Sequence, residues 1–83
     1  MNGTIKEEVF EMISKIENES TVPKNIKIKM QNILIDLQEE EKGFDFRINK
    51  ALQELDEISE DINLPDYVRT QIWAIVSILE SIE

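Results

Sequence analysis

The sequence predicts an all-α protein, an antiparallel four-helix bundle built from two repeated helical hairpins. Apolar residues recur at three- and four-residue steps in four separate segments, which is the pattern of amphipathic helices. The links between these segments are short, so consecutive helices should be antiparallel neighbours. With 83 residues there is room for one hydrophobic core, so we expect residues 1–83 to form a single domain.

The first helix should run from Thr4 to near Asn18, because Thr4 and Glu7 match a capping box. Proline suits the first turn of a helix, so the second helix should begin at or beside Pro23. Gly43 should supply its break. The apolar stripes of these two helices are Ile5, Val9, Met12, Ile13 and Ile16, and then Ile26, Met30, Ile33, Leu34 and Leu37.

The third helix should be capped by Asp45, with Phe44 as an apolar staple at its entry, and it should end within residues 60–63. Pro65 and Asp66 should open the fourth helix, which continues almost to the last residue. Their stripes are Ile48, Ala51, Leu52, Leu55 and Ile58, and then Val68, Ile72, Ile75, Val76, Leu79 and Ile82.

The two halves of the chain align with each other at the offset that separates Pro23 from Pro65, which places Lys27 on Arg69. Neither hairpin could bury its stripe alone, so the two should pack together as a bundle. A stack of two helical repeats is the competing arrangement. In the bundle, one shared core is predicted to bury Ile33, Leu34, Leu52, Leu55, Ile72, Ile75 and Leu79.

The residue types that carry most catalysis are missing from this chain. It has no Cys and no His, which excludes disulfides, thiolate nucleophiles, imidazole catalysis and Cys/His zinc sites. Two glycines are too few for a phosphate-binding loop. The acidic residues of segment 54–61 could coordinate Mg²⁺ or Ca²⁺ in principle, but they lack EF-hand spacing and are predicted to be a solvated face. We therefore expect no enzyme activity, no cofactor, no metal and no catalytic residue.

The charge of the chain bears on its partners. Eighteen acidic against 9 basic residues give a net charge of −9, which disfavours nucleic acid. A local basic patch remains the alternative, and its candidates are Lys24, Lys27, Lys29, Arg47 and Arg69. We expect instead that these bases pair with Glu19, Asp66 and neighbouring acids at the surface. No stretch approaches the roughly 20 apolar residues of a membrane span, and the first residues resemble no signal peptide, so we expect a cytoplasmic location.

Three large apolar residues lie off the core stripes. At 100° per residue, Trp73 lies about 130° from the centre of its stripe, and Ile28 and Ile35 point away from theirs. Exposed residues of this kind are candidates for a partner interface, with a two-fold homodimer as the leading form. A helix that touches two neighbours could instead have a buried arc wide enough to include Trp73.

Several segments of the chain resemble an uncharacterised family of small archaeal all-helical proteins. They are Val22-Pro23-Lys24-Asn25-Ile26, Leu55-Asp56-Glu57-Ile58, Asn63-Leu64-Pro65, Arg69-Thr70-Gln71-Ile72-Trp73 and Ser77-Ile78-Leu79-Glu80. The resemblance implies a bundle-forming protein with no assigned activity, substrate or cofactor, so no catalytic residue is carried over. Together with the residues above, it leads us to expect a non-enzymatic protein-interaction or self-associating helical module.

Overall fold

Four helices make up most of the structure. The structure is a computed structural model, which describes the backbone of residues 3–82 and the side chains from residue 7 onward. They are α1 (Gly3–Glu17), α2 (Lys24–Gln38), α3 (Phe44–Ser59) and α4 (Asp66–Ser81). Each helix packs against the next, and α1 also packs against α4, which closes the ring. A stack of two repeats would instead place α1 beside α3, and no such contact joins the described residues. The predicted four-helix bundle is confirmed.

Two prolines stand immediately before the even-numbered helices. Pro23 and Pro65 have nearly the same extended backbone, with φ of −57° and −58° and ψ of 146° and 143°, and helix begins at the next residue. The carbonyl of Pro23 accepts hydrogen bonds from the backbone N–H groups of Ile26 and Lys27 at 3.0 and 3.1 Å. Because proline has no N–H to leave unpaired at a helix start, the predicted positions of these starts are correct.

The starts of the other two helices differ from prediction. α3 begins at Phe44 with Gly43 in the cap position, so the prediction of Asp45 as the cap is wrong. Asp45 lies instead in the first turn, where its carboxylate interacts favourably with the positive end of the helix dipole. α1 includes Gly3, one residue earlier than predicted. The capping box predicted at Thr4 lies outside the described side chains.

The end of α2 also differs from prediction. The helix stops at Gln38, well before Gly43, and Glu39 adopts an extended conformation with ψ of 93°. The acidic run that follows is unfavourable beside the negative end of a helix dipole. Nη1 of Arg47 donates a hydrogen bond of 2.8 Å to the carbonyl oxygen of Leu37, which satisfies one acceptor at this terminus.

The core contains apolar residues from all four helices and both hairpin links, and no polar residue is buried among the described ones. Of the seven predicted core residues, Leu34 and Leu52 are only partly buried, because they lie at the edges of their stripes. The other five are buried. Burial also follows the repeat, and the paired buried residues are Val9 and Ala51, Ile13 and Leu55, Ile16 and Ile58, Val22 and Leu64, Ile26 and Val68, Met30 and Ile72, Ile33 and Ile75, and Leu37 and Leu79.

Candidate functional site

The outward face of α2 carries two exposed isoleucines. Ile28 is 49% and Ile35 is 56% exposed. At 100° per residue both lie about opposite the buried Ile26 and Ile33, so they point directly away from the core. The structure therefore places both residues where the sequence predicted them, and their role as an interface stays a prediction.

These isoleucines belong to a row of exposed side chains along α2, which we call the α2 outer stripe. Its members are Lys24, Ile28, Gln31, Ile35 and Gln38. The stripe contains no acidic residue. The one acid of α2, Asp36, is turned toward α3, where its Oδ2 lies 3.2 Å from Nζ of Lys50. The stripe is therefore apolar in its middle and neutral or basic around it.

Trp73 lies on a different face of the bundle. It is 55% exposed, so the buried arc of α4 does not include it. Within the described part of the chain, α4 contacts α1 and α3 but not α2. The outward faces of α2 and α4 therefore point in opposite directions, and the structure does not bring Trp73 together with Ile28 and Ile35.

The guanidinium group of Arg69 ties the α3–α4 link together. Its Nε donates to the carbonyl oxygen of Ser59 at 2.8 Å, and its Nη2 donates to those of Asp61 at 2.8 Å and Leu64 at 3.3 Å. Its Nη1 lies 2.7 Å from Oδ1 of Asp66. Four interactions within the chain thus occupy this side chain. One of them, the ion pair with Asp66, is the pairing with a surface acid that the sequence predicted.

Arg47 lies at the opposite end of the bundle from Lys24. It bonds to Leu37, thirteen residues along α2 from Lys24, which corresponds to a distance of about 20 Å at the helical rise per residue. Its guanidinium carbon is also 5.8 Å from the centre of the Phe44 ring, and its Nε is buried without a hydrogen-bond partner. Arg47 therefore does not extend a surface that begins at Lys24.

The three lysines of α2 point in different directions. Lys27 and Lys29 are about 200° apart around the helix axis, and Lys27 is partly buried whereas Lys24 and Lys29 are exposed. The five predicted basic residues are thus not assembled into one patch. Binding of nucleic acid through them remains an untested alternative.

A polar contact between α2 and α3 was not foreseen from the sequence. Burial raises the pKa of the Glu54 carboxyl above its ordinary value of 4.5, the negative charge of Asp36 raises it further, and Lys50 opposes both. Oε1 of Glu54 is buried without a hydrogen-bond partner. The internal repeat could have indicated this contact. Glu54 and Asp36 stand at the positions that Met12 and Ile78 occupy in the other half of the chain, and both of those residues are apolar and packed against the core.

The remaining features supply little chemistry. A cavity of about 250 Å³ opens between the four helices at the end where Arg47 lies, with Phe10, Leu37 and Ile82 among its apolar walls and Glu40 at its lining. Among residues 3–82, no group of three acidic side chains is placed to hold a metal ion. None of the described helices is long and apolar enough to cross a bilayer.

Comparison with known proteins gives consistent matches over nearly the whole chain. The model of an uncharacterised protein family, UPF0147, matches residues 2–82. A UPF0147 protein of Thermoplasma volcanium is 32% identical over 82 residues, 99% of this chain and 92% of that protein. One of Methanocaldococcus jannaschii is 40% identical over 72 residues, 87% of this chain and 77% of that protein.

Two crystal structures share the fold. That of the unknown-function protein MMP1188 has a TM-score of 0.92 and 40% identity, covering 100% of this chain and 94% of that one. That of a protein of the same uncharacterised family from Thermoplasma acidophilum has a TM-score of 0.91 and 31% identity, covering 96% of this chain and 94% of that one.

Proposed function

This chain belongs to the uncharacterised family UPF0147, and we propose that it is a non-enzymatic helical module that binds another polypeptide through the α2 outer stripe. The observation that carries the proposal is the pair of half-exposed isoleucines, Ile28 and Ile35, on the face of α2 directly opposite the core. A second copy of the chain is the leading partner, because two-fold homodimers are the commonest oligomers.

The spacing of the two isoleucines supports the proposal that a partner covers the α2 outer stripe. A single exposed isoleucine is ordinary on a protein surface, but Ile28 and Ile35 lie seven residues apart, two turns along one line of the helix. Burial of apolar surface contributes roughly 25 cal/mol per Å², so covering both side chains would favour association. The exposed amides of Gln31 and Gln38 and the charge of Lys24 would then form the polar rim that such interfaces have.

The absence of His and Cys from the sequence argues against the commonest kinds of enzyme, so the proposal assigns no catalysis. The proposal also includes the cytoplasmic location that we expect from the sequence. Nucleic acid is not the proposed partner, because Arg47 and Arg69 already donate hydrogen bonds within the fold.

The experiment replaces both isoleucines by glutamate, Ile28→Glu with Ile35→Glu, and compares sedimentation at high concentration and thermal melting with those of the parent. We expect the parent to be associated and the variant to be dissociated with its helices retained, because two buried carboxylates would disfavour the interface. As a control, Asn49→Glu with Gln53→Glu adds the same charge to exposed positions of α3 and should leave association unchanged.

Two results would contradict the proposal. Gross unfolding of the double isoleucine variant would mean that these side chains are buried within the monomer. A parent that stays monomeric, together with a variant that folds and melts as the parent does, would mean that nothing covers the stripe.

A further inference from the structure

The α2 outer stripe has the spacing of a helix-pairing seam. Its five members follow one another at steps of four, three, four and three residues, the heptad spacing by which two helices pack side by side. The two isoleucines occupy the second and fourth places, on either side of Gln31. The apolar part of the stripe is therefore centred on the middle of α2, near the midpoint between Gln31 and Asn32.

The two ends of α2 carry opposite charges that form no ion pair with any described side chain. Lys24 is the first residue of the helix and Glu39 directly follows its last, and both are exposed. The ion pairs among the described residues are Lys50 with Asp36 and Arg69 with Asp66, so neither Lys24 nor Glu39 takes part in one. Both charges are equally far along the chain from the midpoint between Gln31 and Asn32.

We infer that a second copy of this chain lies antiparallel on the α2 outer stripe, with the two-fold axis near this midpoint. Ile28 of each copy then packs against Ile35 of the other. The same register places Lys24 of each copy opposite Glu39 of the other, so opposite charges meet at both ends of the seam. The inference rests on the proposed function and specifies the partner and its orientation.

Electrostatics distinguishes this arrangement from its alternatives. A parallel pair would bring Lys24 against Lys24 and Glu39 against Glu39, and like charges directly opposite each other are unfavourable. It would also align two helix dipoles in the same direction. Among the four helices only α2 has more basic than acidic residues, so this face carries none of the acidic excess that gives the chain its net charge of −9.

The size of the seam sets the expected strength. α2 has 15 residues, and a contact confined to one such helix on each side is smaller than the roughly 800 Å² per partner of a standard interface. We therefore expect a weak dimer whose population depends on concentration. Association should therefore be measured at high protein concentration.

The test uses the absence of cysteine from the chain. Ile28→Cys and Ile35→Cys are made separately, one of them is labelled with a heavy nitrogen isotope, and the two are mixed and oxidised. Antiparallel packing places the two thiols within disulfide distance only in the mixed pair, so we expect the mixed disulfide and little of either homodisulfide by mass spectrometry. A third variant, Asn49→Cys on the exposed face of α3, measures random oxidation.

Charge reversal is the second arm. Lys24→Glu should weaken the dimer about tenfold, because two attractive pairs become repulsive, and adding Glu39→Lys in the same chain should restore it. Homodisulfides without the mixed species would overturn the antiparallel arrangement and leave the proposed function standing. A parent that is monomeric at high concentration, together with Ile28→Cys and Ile35→Cys variants that yield no disulfide above the Asn49→Cys level, would overturn both.

Discussion

Replacing Arg69 by alanine removes the side chain that holds the α3–α4 link. Its guanidinium donates to three backbone carbonyls, two at 2.8 Å and one at 3.3 Å, and its side chain is only 21% exposed. Lys27 stands at the equivalent place in the other hairpin and has no such hydrogen bonds among the described residues. The two positions therefore form a matched pair in one molecule.

The expected magnitude follows from those bonds. Hydrogen bonds from a charged donor contribute roughly 1.5–3 kcal/mol each, but the carbonyls of a surface link can bind water again, so we take about 2–3 kcal/mol in total for Arg69→Ala. Nothing is added for Asp66, whose carboxylate is fully exposed. For a domain of this size, that loss lowers Tm by roughly 10–20 °C. Lys27→Ala should change stability by no more than about 0.5 kcal/mol.

The stability of both variants is measured by thermal melting, followed by circular dichroism at the helix band, and by urea unfolding. Arg69→Lys adds a discriminating case, because lysine keeps the charge but cannot bond three carbonyls with a planar fork, and it should resemble Arg69→Ala. If Arg69→Ala melted within a few degrees of the parent, or no lower than Lys27→Ala, the role assigned to the guanidinium would be refuted.

Two further predictions concern the core and the α2–α3 contact. Leu55→Ala and Ile75→Ala should each cost about 2–5 kcal/mol in urea unfolding, because both side chains are fully buried, and Leu52→Ala should cost less because it lies at the edge of the core. Glu54→Gln should raise Tm at neutral pH. Since the folded state raises the pKa of Glu54 above 4.5, the stability contributed by its proton is fully present below that pH and is lost as the pH rises through the folded pKa.

Each of these has its own contrary result. Unchanged melting temperatures for both Leu55→Ala and Ile75→Ala would contradict the shared core. For Glu54, the advantage of the glutamine variant should shrink as the pH falls toward 4.5. An advantage of equal size at acid and neutral pH would show that the titration of this carboxyl is not its cause. Glu11→Gln, at an exposed position of α1, controls for net charge, whereas Glu57 cannot because its charge also raises the pKa of Glu54.

Much of the fold could be predicted because its signals are local. Pro23 and Pro65 predicted two helix starts, since a residue without an N–H suits a position whose N–H has no partner. Gly43 was predicted to end α2, whereas it stands at the start of α3. The prediction was wrong because a glycine in a link indicates a break without showing which of the two helices it adjoins. It precedes α3 with a negative φ of −60°, so its position does not need glycine's freedom.

The candidate site was predicted less completely. The exposure of Ile28 and Ile35 follows from periodicity, but the internal hydrogen bonds of Arg69 do not, because its acceptors are backbone carbonyls whose direction only the folded link sets. The contact of Glu54 with Asp36 was missed for a related reason. Two polar residues eighteen positions apart have no sequence pattern that pairs them.

The sequence by itself determined four helices, their core faces and the outward direction of Ile28 and Ile35, because the 100° step between residues relates every side chain of a helix to its apolar stripe. Short links predicted that consecutive helices are neighbours, but only the tertiary structure decided the order of the helices around the core, with α1 packed against α4. That order separates Trp73 from the α2 outer stripe and Arg47 from Lys24. The physical reason is that these relations depend on how the helices are arranged around the core, through contacts between residues far apart in the chain.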